Sequence, residues 1–232
     1  MTLRLILNAD DFGYDPAVTR GIARAMREGV VSSTTMIVNS PHSADAGRQA
    51  DGLAIGLHLN LVRCPAVSDG HEQLDDAKPG EEFVVRETRA QLDRLSFLIG
   101  RDATHIDVHK HAHLQPQVLS GLATVAKERG LAVRSINAEM RAFLKARGVQ
   151  TNDVFLGDAA RDAYWTPERF EEILAQVPDD GLVELMCHPG YANSYVPSGY
   201  SAQREVELAT FTSARAREAM KQRNVVFSPW KA

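Results

Sequence analysis

Apolar positions along the chain fall into two alternating patterns. Short β-branched or leucine-rich runs at residues 3–8, 34–39, 53–59, 104–109, 132–136, 153–156, 182–187 and 225–228 read as strands. Between them the apolar residues return at helical spacing. Thr166-Pro167 is an N-cap followed by a first-turn proline, and Phe170, Ile173, Leu174 and Val177 follow at i, i+3, i+4 and i+7. Asp15-Pro16 repeats the device before Val18, Ile22, Ala25 and Met26, and Gly29 closes that segment. Pro116 opens a third helix carrying Val118, Leu122, Val125 and Ala126, with Gly130 as its stop.

Strand-then-helix alternation calls for a parallel sheet flanked by helices, either an open doubly wound sheet or a closed barrel. The polar residues favour the barrel. Residues 8–11, 56–58, 105–113 and 187–189 each sit at the end of a different strand, and barrel strands bring such ends to one face. The expected fold is therefore α/β, a distorted (β/α) TIM-like barrel with mostly parallel strands, as one domain over residues 1–232. A full eight-stranded barrel usually takes about 250 residues, so a strand or a helix could be lacking. Residues 63–80 and 190–201 are polar and read as loops over the active face.

Composition narrows the class without naming a chemistry. The 232 residues are 44% hydrophobic and 24% charged, with a formal charge of −4, which excludes a disordered chain and argues against a nucleic-acid partner. No run approaches 18 apolar residues, so no membrane span is expected, and the N-terminus lacks a signal-peptide layout. The expectation is a cytoplasmic protein, with a homodimer as the default assembly. Cys64 and Cys187 form no disulfide framework and no metal-ligand spacing. Cys187 reads as a small buried hydrophobe, and Cys64, His42 and His71 carry no assignment.

The chemistry lies in four motifs. In residues 104–113, His105, Asp107, His109, His111 and His113 occupy every second position, so an extended chain would aim all five one way. So many polar groups on a sheet call for a metal or a reaction to use them. Asp10 and Asp11 end an apolar strand; both can serve one site only where the strand breaks, and Gly13 permits such a break. His58 interrupts an apolar run, and His188 precedes a Pro-Gly turn. One carboxylate and two imidazoles with open positions describe a hydrolytic metal site, leaving an aspartate and a histidine for proton transfer. The substrate is not visible at this level.

Asn8-Ala9-Asp10-Asp11-Phe12-Gly13, Gly56-Leu57-His58-Leu59, the 104–109 segment and Cys187-His188-Pro189, in this order, resemble the YdjC-like carbohydrate deacetylases, a family with chitooligosaccharide and hopanoid-associated members. The resemblance implies a distorted barrel, a divalent metal and removal of acetyl from an N-acetylated sugar. By position it implies Asp11, His58 and His109 as metal ligands, Asp10 as general base and His188 as the acid for the departing amine. Asp107, His111, His113 and Asn60 fall to supporting the ligands or contacting substrate. The cofactor is one divalent ion, Mg2+ or Zn2+; the ligand set itself suits zinc, cobalt or nickel better than magnesium. Two competing readings are a metal phosphoesterase on a similar barrel and a non-catalytic sugar-binding protein. The first is disfavoured because Lys110 and Arg63 alone are basic beside the motifs in sequence.

Overall fold

The computed structural model describes residues 2–62, 64–69 and 79–230. Arg63, His71 and most of the loop expected over 63–80 lie outside the described residues. Eight parallel strands are present among those described: β1 (Leu3–Phe12), β2 (Ser33–Met36), β3 (Ile55–Leu59), β4 (His105–Val108), β5 (Ala132–Val133), β6 (Val154–Leu156), β7 (Leu182–Cys187) and β8 (Val225–Phe227). Seven of them curl into an open barrel in the order β5-β4-β3-β2-β1-β7-β6. β1 is shared on one side: β8 takes its first half at Leu3–Leu5 and β2 its second half from Asn8 onward.

The helices are α1 (Pro16–Glu28), α2 (Ser43–Gly47), α3 (Glu81–Ile99), α4 (Pro116–Arg129), α5 (Ala138–Ala146), α6 (Pro167–Gln176), α7 (Ala202–Thr212) and α8 (Ala214–Gln222). The caps legible in the sequence form as expected, with Gly29 closing α1. Asp15 accepts from the Ala17 amide, Thr166 accepts from the Arg169 amide, and Gly130 ends α4 in the left-handed region at φ 60°. β1, β3, β4 and β7 are buried on nearly every residue, because helices cover the sheet outside and side chains fill it inside. One core cluster runs from Leu3 on β1 to Met220 on α8.

Two expectations about local backbone are corrected. β1 does not end at Asn8; it continues to Phe12 through a bulge, the register slipping by one residue against β2 between Ala9 and Phe12. The bulge carries Asp11 at φ 75°, and so brings two successive carboxylates to one side of the sheet. The alternating His/Asp run is not one extended face either. β4 ends at Val108, and a 3-10 segment, His109–Leu114, follows with Lys110 and His111 both left-handed at φ 53° and 51°.

The barrel stays open between β5 and β6. β5 ends at Val133: the Arg134 amide still donates to Ile106 O on β4 at 3.0 Å, and Ser135 turns to Asn152. Across the gap, the Val133 amide donates to Gln150 O at 2.9 Å. The Asn152 side chain completes the seam, accepting from Ser135 N at 2.7 Å and donating to Ser135 O at 2.9 Å, as a strand backbone would.

Candidate active site

The C-terminal ends of four strands deliver the functional side chains. Asp10 and Asp11 come from the β1 bulge, His58 from β3, His109 from the turn after β4, and His188 from the turn after β7. Asp10, Asp11, His58, His109, His111 and His188 share the wall of a cavity of about 410 Å³, with Tyr14, Tyr200 and Arg204.

Asp11 Oδ1 lies 3.3 Å from His58 Nε2 and 3.3 Å from His109 Nδ1, and the two imidazole nitrogens are 3.1 Å apart. Oδ1 is buried, yet it is oriented to make a hydrogen bond with neither ring. Its partner oxygen Oδ2 accepts from Arg204 Nη2 at 2.6 Å. Burial would raise the Asp11 pKa, but Arg204 and the two histidines hold it well below the usual carboxylate range.

His58 is oriented from behind. Its Nδ1 is 2.6 Å from Asp107 Oδ1, which turns Nε2 toward Asp11. Burial opposes its charge, and Asp107 overrides that, pushing the imidazole up to about 10. Asp107 is fully buried behind His58 and also accepts from Thr35 Oγ1 at 2.9 Å.

The base expected from the sequence, Asp10, is gripped by a residue that sequence reading did not single out. Arg134 Nη1 and Nη2 donate to its two oxygens at 2.6 and 2.7 Å, and Asn8 Nδ2 donates at 2.9 Å. The same guanidinium reaches Asp107 at 2.8 Å and Glu184 at 2.7 Å. Burial raises Asp10, but Arg134, with His58 and His188, brings it well below the usual carboxylate range. Burial pushes Glu184 up to about 8, so it is largely protonated at neutral pH and the cluster is not three charges against one.

His188 is steadied through its backbone. Its amide donates to Glu207 on α7 at 2.6 Å, and Tyr200 Oη donates to the other Glu207 oxygen at 2.5 Å. His188 Nδ1 is buried without a hydrogen-bond partner. Burial pushes the ring down to about 4, leaving it neutral at pH 7.

The remaining residues of the motifs divide. His111 lines the cavity, packed edge-on against Phe155. His113 is fully buried beside it, with ring centroids 5.9 Å apart. His105 points away into the barrel interior, bonding Asn8 Oδ1 at 3.1 Å and stacking on Trp230 at 4.5 Å. Asn60 is buried in a network with Asn39 and Gln91, apart from the cavity wall. Cys187 is buried and its thiol donates to Asn8 O at 3.3 Å, while Cys64 is half-buried.

The sequence-based premise that the site is poor in cations is also corrected: Arg134 and Arg204 are both buried in it. Neither lies near the motifs in the chain. Arg134 did carry a signal, as a charged residue closing the apolar run at 132–133, and Glu184 did likewise inside β7. Arg204, on a surface-patterned helix, carried none.

Fold and site together define a parallel α/β open barrel with a buried carboxylate–imidazole centre at the C-terminal ends of its strands. The family model of the YdjC-like proteins matches residues 4–222, and the chain belongs to that family, as its motifs led us to expect. It is 33% identical to a carbohydrate deacetylase of Geobacillus stearothermophilus, over 95% of this chain and 94% of the relative. It is 32% identical to a chitooligosaccharide deacetylase of Yersinia pestis (strain Pestoides F), over 94% of each. A crystal structure from Enterococcus faecalis V583, described provisionally as a cellobiose-phosphate cleavage protein, superposes with a TM-score of 0.86 at 29% identity, over 99% of this chain and 98% of that one. Among the described residues no helix is long and apolar enough to cross a membrane.

Proposed function

We propose that the chain is a divalent-metal-dependent N-deacetylase of amino sugars. Asp11, His58 and His109 would hold the ion, with Asp10 as base and His188 as acid. The observation that carries this reading is the Asp11 Oδ1–His58 Nε2–His109 Nδ1 triangle, with edges of 3.3, 3.3 and 3.1 Å. A tetrahedral ion with ligands at about 2.0–2.1 Å has edges of about 3.3–3.4 Å, so the three atoms already stand at coordination spacing. The buried, unpartnered Oδ1 supports the same fit. A mixed N2O donor set with His58 backed by a carboxylate suits zinc better than magnesium. A bound divalent ion would polarise the acetamide carbonyl and make a neighbouring water more acidic.

The chain's own residues supply the proton traffic. A carboxylate has about four acceptor positions, and Asp10 uses three on Arg134 and Asn8. One remains to take a proton from the water that attacks the acetyl carbon. His188 takes up the proton that Asp10 drew from the water; the carbon–nitrogen bond then breaks, acetate departs and His188 delivers that proton to the sugar amine. His188 is neutral at rest, so it is a strong acid at the moment it carries charge. Arg204 Nη1 is buried without a partner, one donor kept for a polar group of the substrate.

The test is acetate release from N-acetylated sugars by metal-stripped protein, before and after single divalent ions are restored. N-Acetylglucosamine, diacetylchitobiose and a glycolipid carrying the same sugar form the panel, with O-acetyl and phosphate esters as controls. Ion-dependent acetate from an N-acetyl sugar is the expected result. Turnover of the phosphate ester alone would move the reading to a phosphoesterase.

A further inference from the structure

Asp15 is fully buried, and capping α1 is only part of what its carboxylate does. Oδ1 accepts from Ala17 N at 2.8 Å and from Ser194 Oγ at 3.0 Å. Oδ2 accepts from three successive backbone amides, Ser194, Tyr195 and Val196, at 3.1, 2.8 and 3.1 Å. This nest fixes the middle of the loop after β7 against the loop after β1. Immediately downstream, Pro197, Ser198, Gly199 and Tyr200 form part of the cavity wall.

At the centre of the anchored triplet, the Tyr195 side chain is turned outward and is 73% exposed. Its ring meets that of His42, from the turn after β2, with centroids 5.5 Å apart and planes tilted by 41°. Both residues follow the C-terminal ends of their strands and therefore stand on the face where the cavity opens. A large ring left in water on a firmly held loop is a surface in search of an apolar face, and a pyranose presents one through its axial C–H groups. The cavity, at about 410 Å³, is toward the small end for ligand sites, which span about 300–1,000 Å³. The ring being deacetylated would occupy this cavity, and a sugar linked to it would continue along the rim that the 197–200 segment forms.

We propose that Tyr195 and His42 form an aromatic platform for a second sugar ring, with Asp15 as its positioning residue, so that the chain prefers a disaccharide or longer oligosaccharide over a monosaccharide. This rests on the reading of the chain as an amino-sugar deacetylase, and the experiment separates the two. The ratio of kcat/KM for diacetylchitobiose to that for N-acetylglucosamine is measured for the wild type, Tyr195→Ala, Tyr195→Phe and Asp15→Asn. Tyr195→Ala is expected to lower the ratio about five- to tenfold, Tyr195→Phe to retain it, and Asp15→Asn to lower it part of the way. A merely structural loss would lower both substrates together and leave the ratio unchanged, which overturns the platform while the deacetylase reading stands. If the wild type releases no acetate from either sugar, that reading fails, and the platform is tested by calorimetric titration with chitobiose. Weaker binding by Tyr195→Ala than by the wild type supports the platform; equal binding, or none, overturns it.

Discussion

Arg134 holds Asp10 by both of its terminal nitrogens, at 2.6 and 2.7 Å, in a buried pair that meets the cavity only through Asp10. Arginine's planar fork fixes both the charge and the direction of the carboxylate, which a lysine ammonium could not do. Arg134→Met is expected to destabilise the fold by roughly 3–5 kcal/mol, since it strands a buried carboxylate among apolar neighbours. Arg134→Lys should fold but lose much of kcat/KM, because Asp10 is no longer aimed. Urea melts and steady-state kinetics on the same preparations check both. Full activity in the lysine variant would show that the two-point grip is dispensable.

Removing the charge of Asp11 or either ring of the His58–His109 pair is expected to abolish stoichiometric ion binding. Asp107→Asn acts at one remove: the amide still fills the space behind His58 but holds the ring less strongly, and affinity should fall about 10- to 100-fold. Elemental analysis after dialysis and competitive chelator titration measure these losses. An Asp11→Ala protein that kept one ion per chain at unchanged affinity would refute the ligand assignment.

Glu207 and His188 give opposing contributions to stability as pH changes. Burial pushes Glu207 up to about 7, against the pull of its hydrogen bonds from Tyr200 and His188. Its folded pKa is above the unfolded value near 4.5, so stability from its protonated form is complete below pH 4.5 and is lost as pH rises toward 7. His188 runs the other way, pushed from 6.5 down to about 4, so its contribution grows as pH rises through that window. Glu207→Gln keeps an acceptor for the His188 amide, turns its NH2 donor toward Tyr200 Oη, and removes the titration. Relative to wild type it should gain stability, by up to roughly 3 kcal/mol, as pH rises from 4.5 to 7. Denaturant melts at half-unit pH steps measure the difference, and a pH-independent difference would remove Glu207 from the account.

Gly21 on α1 faces the turn that follows His188. A Cβ built there would stand 2.5 Å from Gly190 Cα and 2.7 Å from Tyr191 N, both backbone atoms that cannot swing aside. Alanine ordinarily improves a helix by about 0.8–1.0 kcal/mol over glycine, but here the clash should outweigh it. Gly21→Ala is expected to lower Tm and to lower kcat more than KM, since the displaced turn carries His188. Thermal melts and kinetics on one substrate suffice, and a stabilised, fully active variant would contradict the close packing.

The barrel was legible because its strands are short apolar runs and its helices begin with explicit caps. Asp15, Thr166 and Gly130 each act where the sequence placed them. Asp11, His58 and His109 converge because three strand ends converge, which follows from parallel topology. What sequence could not supply was the means. Period-two reasoning put His105 on the same face as His109, whereas β4 ends at Val108 and His105 packs inward on Trp230. The guanidinium partners come from about 124 and 193 residues away in the chain, and no local pattern announces a contact at that separation.

The seam at Asn152 gives the barrel a mechanical weak side. In a closed ring, widening at any point strains every strand in turn, so the whole wall resists together. Here the hoop is completed without a strand ladder, by the Asn152 side chain, the Val133–Gln150 backbone bond, a Ser135 Oγ–Asn152 O bond and the Arg134–Glu184 pair. The loop beyond β6 places Asp158 and Ala159 in the cavity wall, while Asp11, His58 and His109 ride on strands and a turn that stay contiguous. The three ligand atoms of the triangle thus ride on one unbroken run of paired strands, β1 to β4, and the seam does not pass between them.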